Sequence, residues 1–190
     1  MRCSESRERS IEQQLAILYT IGHSTRSLDD LIAALRAHEI KTLVDIRAFP
    51  VSRRLPQFNR DSLAETLPAA GICYVWMKAL GGYRKKILEE SPHIALRNDS
   101  FRNYADYMLT AEFEKAVKEL IAHGEEGPTA YMCAERVHFH CHRMLVSDWL
   151  VAHGHEVLHI DSTGPVKPHK LTSEGRMIEG QLIYRGDRLL

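Results

Sequence analysis

Five short apolar runs, each followed by a stretch of different period, constrain this chain most. Residues 15–21, 42–46, 72–76, 129–133 and 156–160 are short runs built largely of apolar and strand-forming side chains. Between them the apolar positions fall at helical spacing. Leu28, Leu31, Ile32 and Leu35 follow Ser27, and Asp30 stands where a capping-box acid belongs. Further helices are predicted over 61–70 closed by Gly71, over 101–109, over 111–123 with Thr110 as N-cap and Gly124 as stop, and from about Phe139 to His153, ended by Gly154. Such alternation predicts an α/β fold: one domain with a mainly parallel sheet and helices on both faces. Residues 84–98 show no period and read as a long excursion.

A chain of 190 residues suffices for one well-buried core. We divide it into an N-terminal extension (1–14), the α/β domain (15–160) and a C-terminal tail (161–190) with a small hairpin about Gly180. The 25 basic and 25 acidic side chains cancel, so no overall attraction to nucleic acid or anionic lipid is implied. Four cysteines are too few for a disulfide scaffold, and the first residues are charged where a secretory signal would be apolar. A reducing, cytoplasmic setting is the expectation. The apolar runs fall short of the roughly twenty residues needed to span a bilayer, so no membrane partner is expected.

In a parallel sheet the loops that follow the strands leave at one edge, where ligands of open α/β folds bind. Four such loops carry unusual chemistry here. They are Gly22-His23-Ser24, Asp45-Ile46-Arg47 with Ser52 and Arg53, Leu80-Gly81-Gly82, and Cys133-Ala134-Glu135 with Cys141, His142 and Arg143. The last segment packs two thiols, a carboxylate, three imidazoles and two guanidiniums between a buried strand and a helix.

These motifs, with Thr20-Ile21 before Gly22, Pro50, Phe58-Asn59 and Met132, resemble the bacterial and archaeal family called domain of unknown function 488. The resemblance runs from about Thr20 to Ile160. It implies no defined activity, although some members carry a DNA-repair label.

Each motif also has a plain structural reading. Gly22 lets backbone approach a ligand, and Ser24 offers a hydroxyl to an anion, but an ordinary turn uses both. His23 titrates near neutrality and so could move protons, or be structural. Asp45 and Arg47 alternate on a strand and share a face, so a mutual salt bridge competes with a catalytic role for Asp45. Ser52 and Arg53 suit a phosphate or simply face solvent. Gly81 and Gly82 gain weight only from position.

Cys133 is a candidate nucleophile, a zinc ligand with Cys141 and His138 or His142, or a packed core residue. A phosphotyrosine-phosphatase loop would need an arginine where Phe139 stands. Glu135 is the strongest catalytic candidate, because a carboxylate just past a buried strand is costly without a partner; Arg143 is its obvious structural mate. No dinucleotide-binding glycine pattern is present, which turns the expectation from redox chemistry to hydrolysis or group transfer. The substrate class expected is a small anionic or nucleotide-like molecule, held by Arg47, Arg53 and Arg143. A noncatalytic module binding nucleic acid or nucleotide through these arginines and Tyr74, Trp76 and Tyr83 is the competing reading, and zinc held by Cys133 and Cys141 is a third.

Overall fold

The computed structural model describes residues 15–185, so the predicted extension over 1–14 lies outside the described residues. Five parallel strands form the sheet: β1 (Ile17–Gly22), β2 (Thr42–Asp45), β3 (Cys73–Trp76), β4 (Thr129–Cys133) and β5 (Glu156–Ile160). A two-residue strand, β6 (Lys167–Pro168), adds antiparallel to β5. The sheet order is β3-β2-β4-β1-β5-β6.

Alternation along each strand divides the core in two. Ile21, Leu43, Ala130 and Met132 meet α1 (Leu28–Ala37) and α2 (Arg60–Ala69) on one face. Leu18, Val44, Ile46 and Tyr131 meet α3 (Asp99–Met108), α4 (Ala111–Glu126) and α5 (Arg143–Ala152) on the other. Each fully buried leucine among them contributes about 1.5–3 kcal/mol, so the two apolar faces explain why the layers stay together. The chain moves outward from β1 to β3 through helices on one face and returns through helices on the other, which slots β4 between β1 and β2. The loops leaving β4 therefore diverge from those leaving β1 and β2. Such a divergence is where open α/β sheets hold their ligand crevice, here at the carboxyl end of β4.

Local chemistry explains the element ends. Ser27 caps α1 through its hydroxyl, and Asp30 returns the bond to the Ser27 backbone, completing the capping box. Thr110 caps α4 by accepting from the Phe113 N–H. Two helical boundaries differ from the sequence reading. Helix α4 continues through Gly124 to Glu126, because Gly124 is a packing residue: a Cβ there would lie 2.8 Å from Leu18 Cδ2. Helix α5 starts at Arg143 rather than near Phe139; His138–His140 make a 3₁₀ turn, and Cys141 is extended at φ −136° and ψ 150°.

The tail closes onto this body. Strands β7 (Gly175–Ile178) and β8 (Gln181–Tyr184) form a hairpin whose turn holds Glu179 and Gly180 at φ 50° and 80°. Tyr184 is fully buried, its hydroxyl donating to Asp148 of α5. No helix among the described residues is long and apolar enough to cross a membrane.

Candidate functional site

Gly22 of β1 sits beside Cys133 of β4, and the ladder runs on past both strands through His23 N–H to Cys133 O (3.0 Å) and Ser24 N–H to Ala134 O (2.9 Å). A side chain at Gly22 would overlap the Glu135 carbonyl and crowd the Arg143 guanidinium, so glycine is required there. Ser24 takes a positive φ of 49°. It lines a cleft of about 380 Å³ with Asp30, Arg136 and Asp161.

On the α1/α2 side of the crevice, Asp45 and Arg47 form a buried bidentate pair at 2.8 and 2.5 Å. Tyr74 donates its hydroxyl to the same carboxylate at 2.7 Å. Arg47 also donates to the Phe58 carbonyl and, through Nη1, meets His23 Nε2 at 3.1 Å. Arginine has no acceptor, so His23 Nε2 is the acceptor, and its Nδ1 donates to the Ser24 carbonyl at 2.9 Å. Burial pushes His23 down to about 4, and the Arg47 charge acts in the same direction. His23 therefore stands as a neutral acceptor stacked on Phe58, and the Arg47 guanidinium is engaged by Asp45. Trp76 donates to the Arg47 carbonyl and lies under Arg60, and Tyr83 is exposed.

On the opposite side, His142 Nε2 lies 3.1 Å from the Ile46 carbonyl oxygen, which can only accept. The Nε2 proton is thereby assigned, and Nδ1 faces two sulfurs, Cys141 Sγ at 3.5 Å and Cys133 Sγ at 3.9 Å, where it can accept from a thiol or, once protonated, donate to a thiolate. Gly82 makes room for this ring, since a Cβ there would overlap the imidazole; Gly81 packs against Ala48. Both thiols are nearly buried. The hydrogen bond from Cys133 pulls Cys141 far below the usual thiol value, with His142 and Arg143 acting the same way, while that bond and burial push Cys133 up. The two thiols titrate as a unit, with Cys141 the first to lose its proton.

Arg143 is 1% exposed and has no carboxylate partner among the described residues. It donates to Thr20 Oγ1 at 3.1 Å and to the carbonyls of Glu135 and Arg136, while its Nε has no partner. A buried cation surrounded only by neutral acceptors is complementary to an anion. Glu135 engages it through the backbone; the Glu135 side chain itself points to solvent. Ser52 and Arg53 stand apart. The Ser52 hydroxyl accepts from Leu55 N–H in its own loop, and Arg53 is exposed.

His159, His169 and Asp148 were not singled out by the sequence, and Thr20 entered only through the family resemblance. Asp148 is fully buried in α5 and holds His169 Nε2 at 2.8 Å, and His169 Nδ1 meets His159 Nε2 at 2.9 Å. The available signals were an acid among Leu145, Val146, Trp149 and Leu150, and a histidine within an otherwise apolar strand. Thr20, Arg143, His138 and His159 line a cleft of about 450 Å³.

The profile of the family described as "Domain of unknown function DUF488" matches residues 27–150. No curated protein and no solved structure matches the chain.

Proposed function

We propose, on the premise that the chain belongs to the DUF488 family, as a match over more than half its length shows, that it is a thiol-dependent enzyme of group transfer or hydrolysis acting on a small anionic or nucleotide-like substrate. One observation carries the reading: two nearly buried thiols converge on an imidazole nitrogen beside a buried guanidinium that lacks a carboxylate among the described residues. In this reading the thiolate rests on Cys141, Cys133 donates to it, and His142 exchanges the proton. Arg143 supplies the positive potential that holds the thiolate and the incoming anion. Asp45, Arg47 and His23 form the wall that fixes Ile46, whose carbonyl orients His142.

Iodoacetamide labelling of metal-free protein tests this. Cys141 should alkylate at pH 6 about tenfold or more faster than an unperturbed cysteine, whose pKa is about 8.5. His142→Gln and Arg143→Lys should slow it, and inorganic pyrophosphate should protect. Labelling of both cysteines with an ordinary thiol pH profile would sink the proposal.

A second reading has its own observation. Zinc bound by two thiolates and an imidazole at about 2.3 and 2.0–2.1 Å places sulfur and nitrogen roughly 3.5 Å apart. The separations here are 3.5 and 3.9 Å, with Cys133, Cys141 and His142 forming a convergent donor set and Ile46 as the outer partner of the histidine. Metal analysis of freshly purified protein separates the two: stoichiometric zinc lost in Cys133→Ser and Cys141→Ser favours metal, and its absence favours the thiolate.

A further inference from the structure

The three imidazoles of His138, His159 and His169 bring their nitrogens within 4.8 Å of one another, in a place the thiol chemistry does not use. Histidine clusters also arise by stacking alone, and part of this one is stacked: the His138 and His159 rings lie 3.6 Å apart at 10°. Stacking does not account for the remainder. Asp148 accepts from Thr172 N–H and Oγ1–H, from Tyr184 O–H and from His169 Nε2–H. With the other three donors holding the carboxylate in position, His169 donates to it from Nε2 and directs its Nδ1 lone pair at His159. The carboxylate–histidine pair is the arrangement that orients metal-ligating imidazoles. Among the described residues Asp148 is also the one carboxylate that hydrogen-bonds any of the three rings, and His159 Nδ1 is buried with no partner. The cluster does not satisfy itself.

We infer that His138, His159 and His169 form a site for a divalent transition-metal ion of the zinc class, braced by Asp148. His159 Nε2 and His169 Nδ1 lie 2.9 Å apart, a separation that subtends roughly a right angle at an ion about 2.0–2.1 Å from each and widens by a few tenths of an ångström for tetrahedral zinc. The ion takes the place of the shared proton, which moves to His159 Nδ1, so that ring stays neutral as it ligates through Nε2. His138 completes the set by turning its ring edge inward, which its position on a partly exposed 3₁₀ turn permits. Three neutral imidazoles leave an open coordination position, and the adjoining cleft of about 450 Å³ also presents Arg136 and Lys167. A metal-bound water or an oxyanion fits that position.

Cobalt(II) chloride titrated into the full chain carrying Cys133→Ser and Cys141→Ser isolates this site from the sulfur donors. One cobalt per chain is expected, with visible ligand-field bands and no thiolate-to-cobalt charge transfer. His159→Ala should abolish binding, and Asp148→Asn should weaken it about tenfold or more. Because those positions are buried, His138→Ala on the surface turn provides the variant that keeps the fold by circular dichroism; it should weaken binding by a similar factor. Lack of saturable cobalt binding by the double cysteine variant, or binding undiminished by His138→Ala, overturns the inference. Neither result bears on iodoacetamide labelling at Cys141, so the two proposals fail separately.

Discussion

Gly82 has no room for a side chain because the His142 imidazole occupies the place a Cβ would take, and that contact makes one hydrogen atom a determinant of the proposed thiol chemistry. Gly82→Ala should displace the ring from the Ile46 carbonyl, slow Cys141 alkylation about tenfold, and destabilise the fold by about 1–3 kcal/mol as an overpacked site does. Labelling kinetics with parallel urea melts measure both effects; labelling as fast as wild type would uncouple Gly82 from the site. Glu135→Gln should leave labelling unchanged, since the interaction with Arg143 runs through the backbone carbonyl. The sequence could show that a strand end carried Asp45 and Arg47 on one face, because alternation is local. It could not show that Phe58 O, Tyr74 and His23 close the ring around them, because those partners arrive from other loops. For Glu135 the cost of burying a carboxylate applies only if the chain buries it, and the turn after β4 faces it outward.

Elements were legible where their signals were local. The capping box of α1, the Thr110 cap and the hairpin about Gly180 all depend on residues within four positions of one another. Gly124 was not, since its meaning lies in Leu18 of a distant strand. Alanine at an ordinary helical glycine adds about 1 kcal/mol of stability; at Gly124 the contact with the fully buried Leu18 should outweigh that gain and leave a net loss on the order of 1 kcal/mol. A urea melt of Gly124→Ala that shows stabilisation would contradict the packing argument. The hairpin predicts the opposite sign. Glu179 holds a left-handed φ of 50° at the turn, where asparagine is better suited. Glu179→Asn should therefore stabilise by roughly 0.5–1 kcal/mol. The start of α5 was illegible because Cys141 breaks the helical period through its backbone, an extended conformation that returns its thiol to His142.

At the scale of the whole molecule, the tail and the histidines share one consequence. Tyr184 and Thr172 reach back to Asp148, so the segment after β5 helps hold the interior arrangement in which several imidazoles are kept away from water. Burial pushes His23 and His138 down to about 4 and His159 to about 3. In the unfolded chain each takes up its proton near 6.5. Between about 4 and 6.5 the unfolded state thus binds more protons than the folded one, and stability must rise with pH across that window. This contribution is fully present above about 6.5 and is lost as pH falls toward the folded values. Since the rings retain partial exposure, each contributes less than its full shift. Urea midpoints of chelator-treated protein should fall steadily from pH 7 to pH 4.5 with little change in slope parameter, and His159→Gln should flatten the dependence. A midpoint that stays level or rises over that interval would mean the imidazoles are protonated in the fold, which would also remove the lone pairs that the His138–His159–His169 cluster would offer a metal.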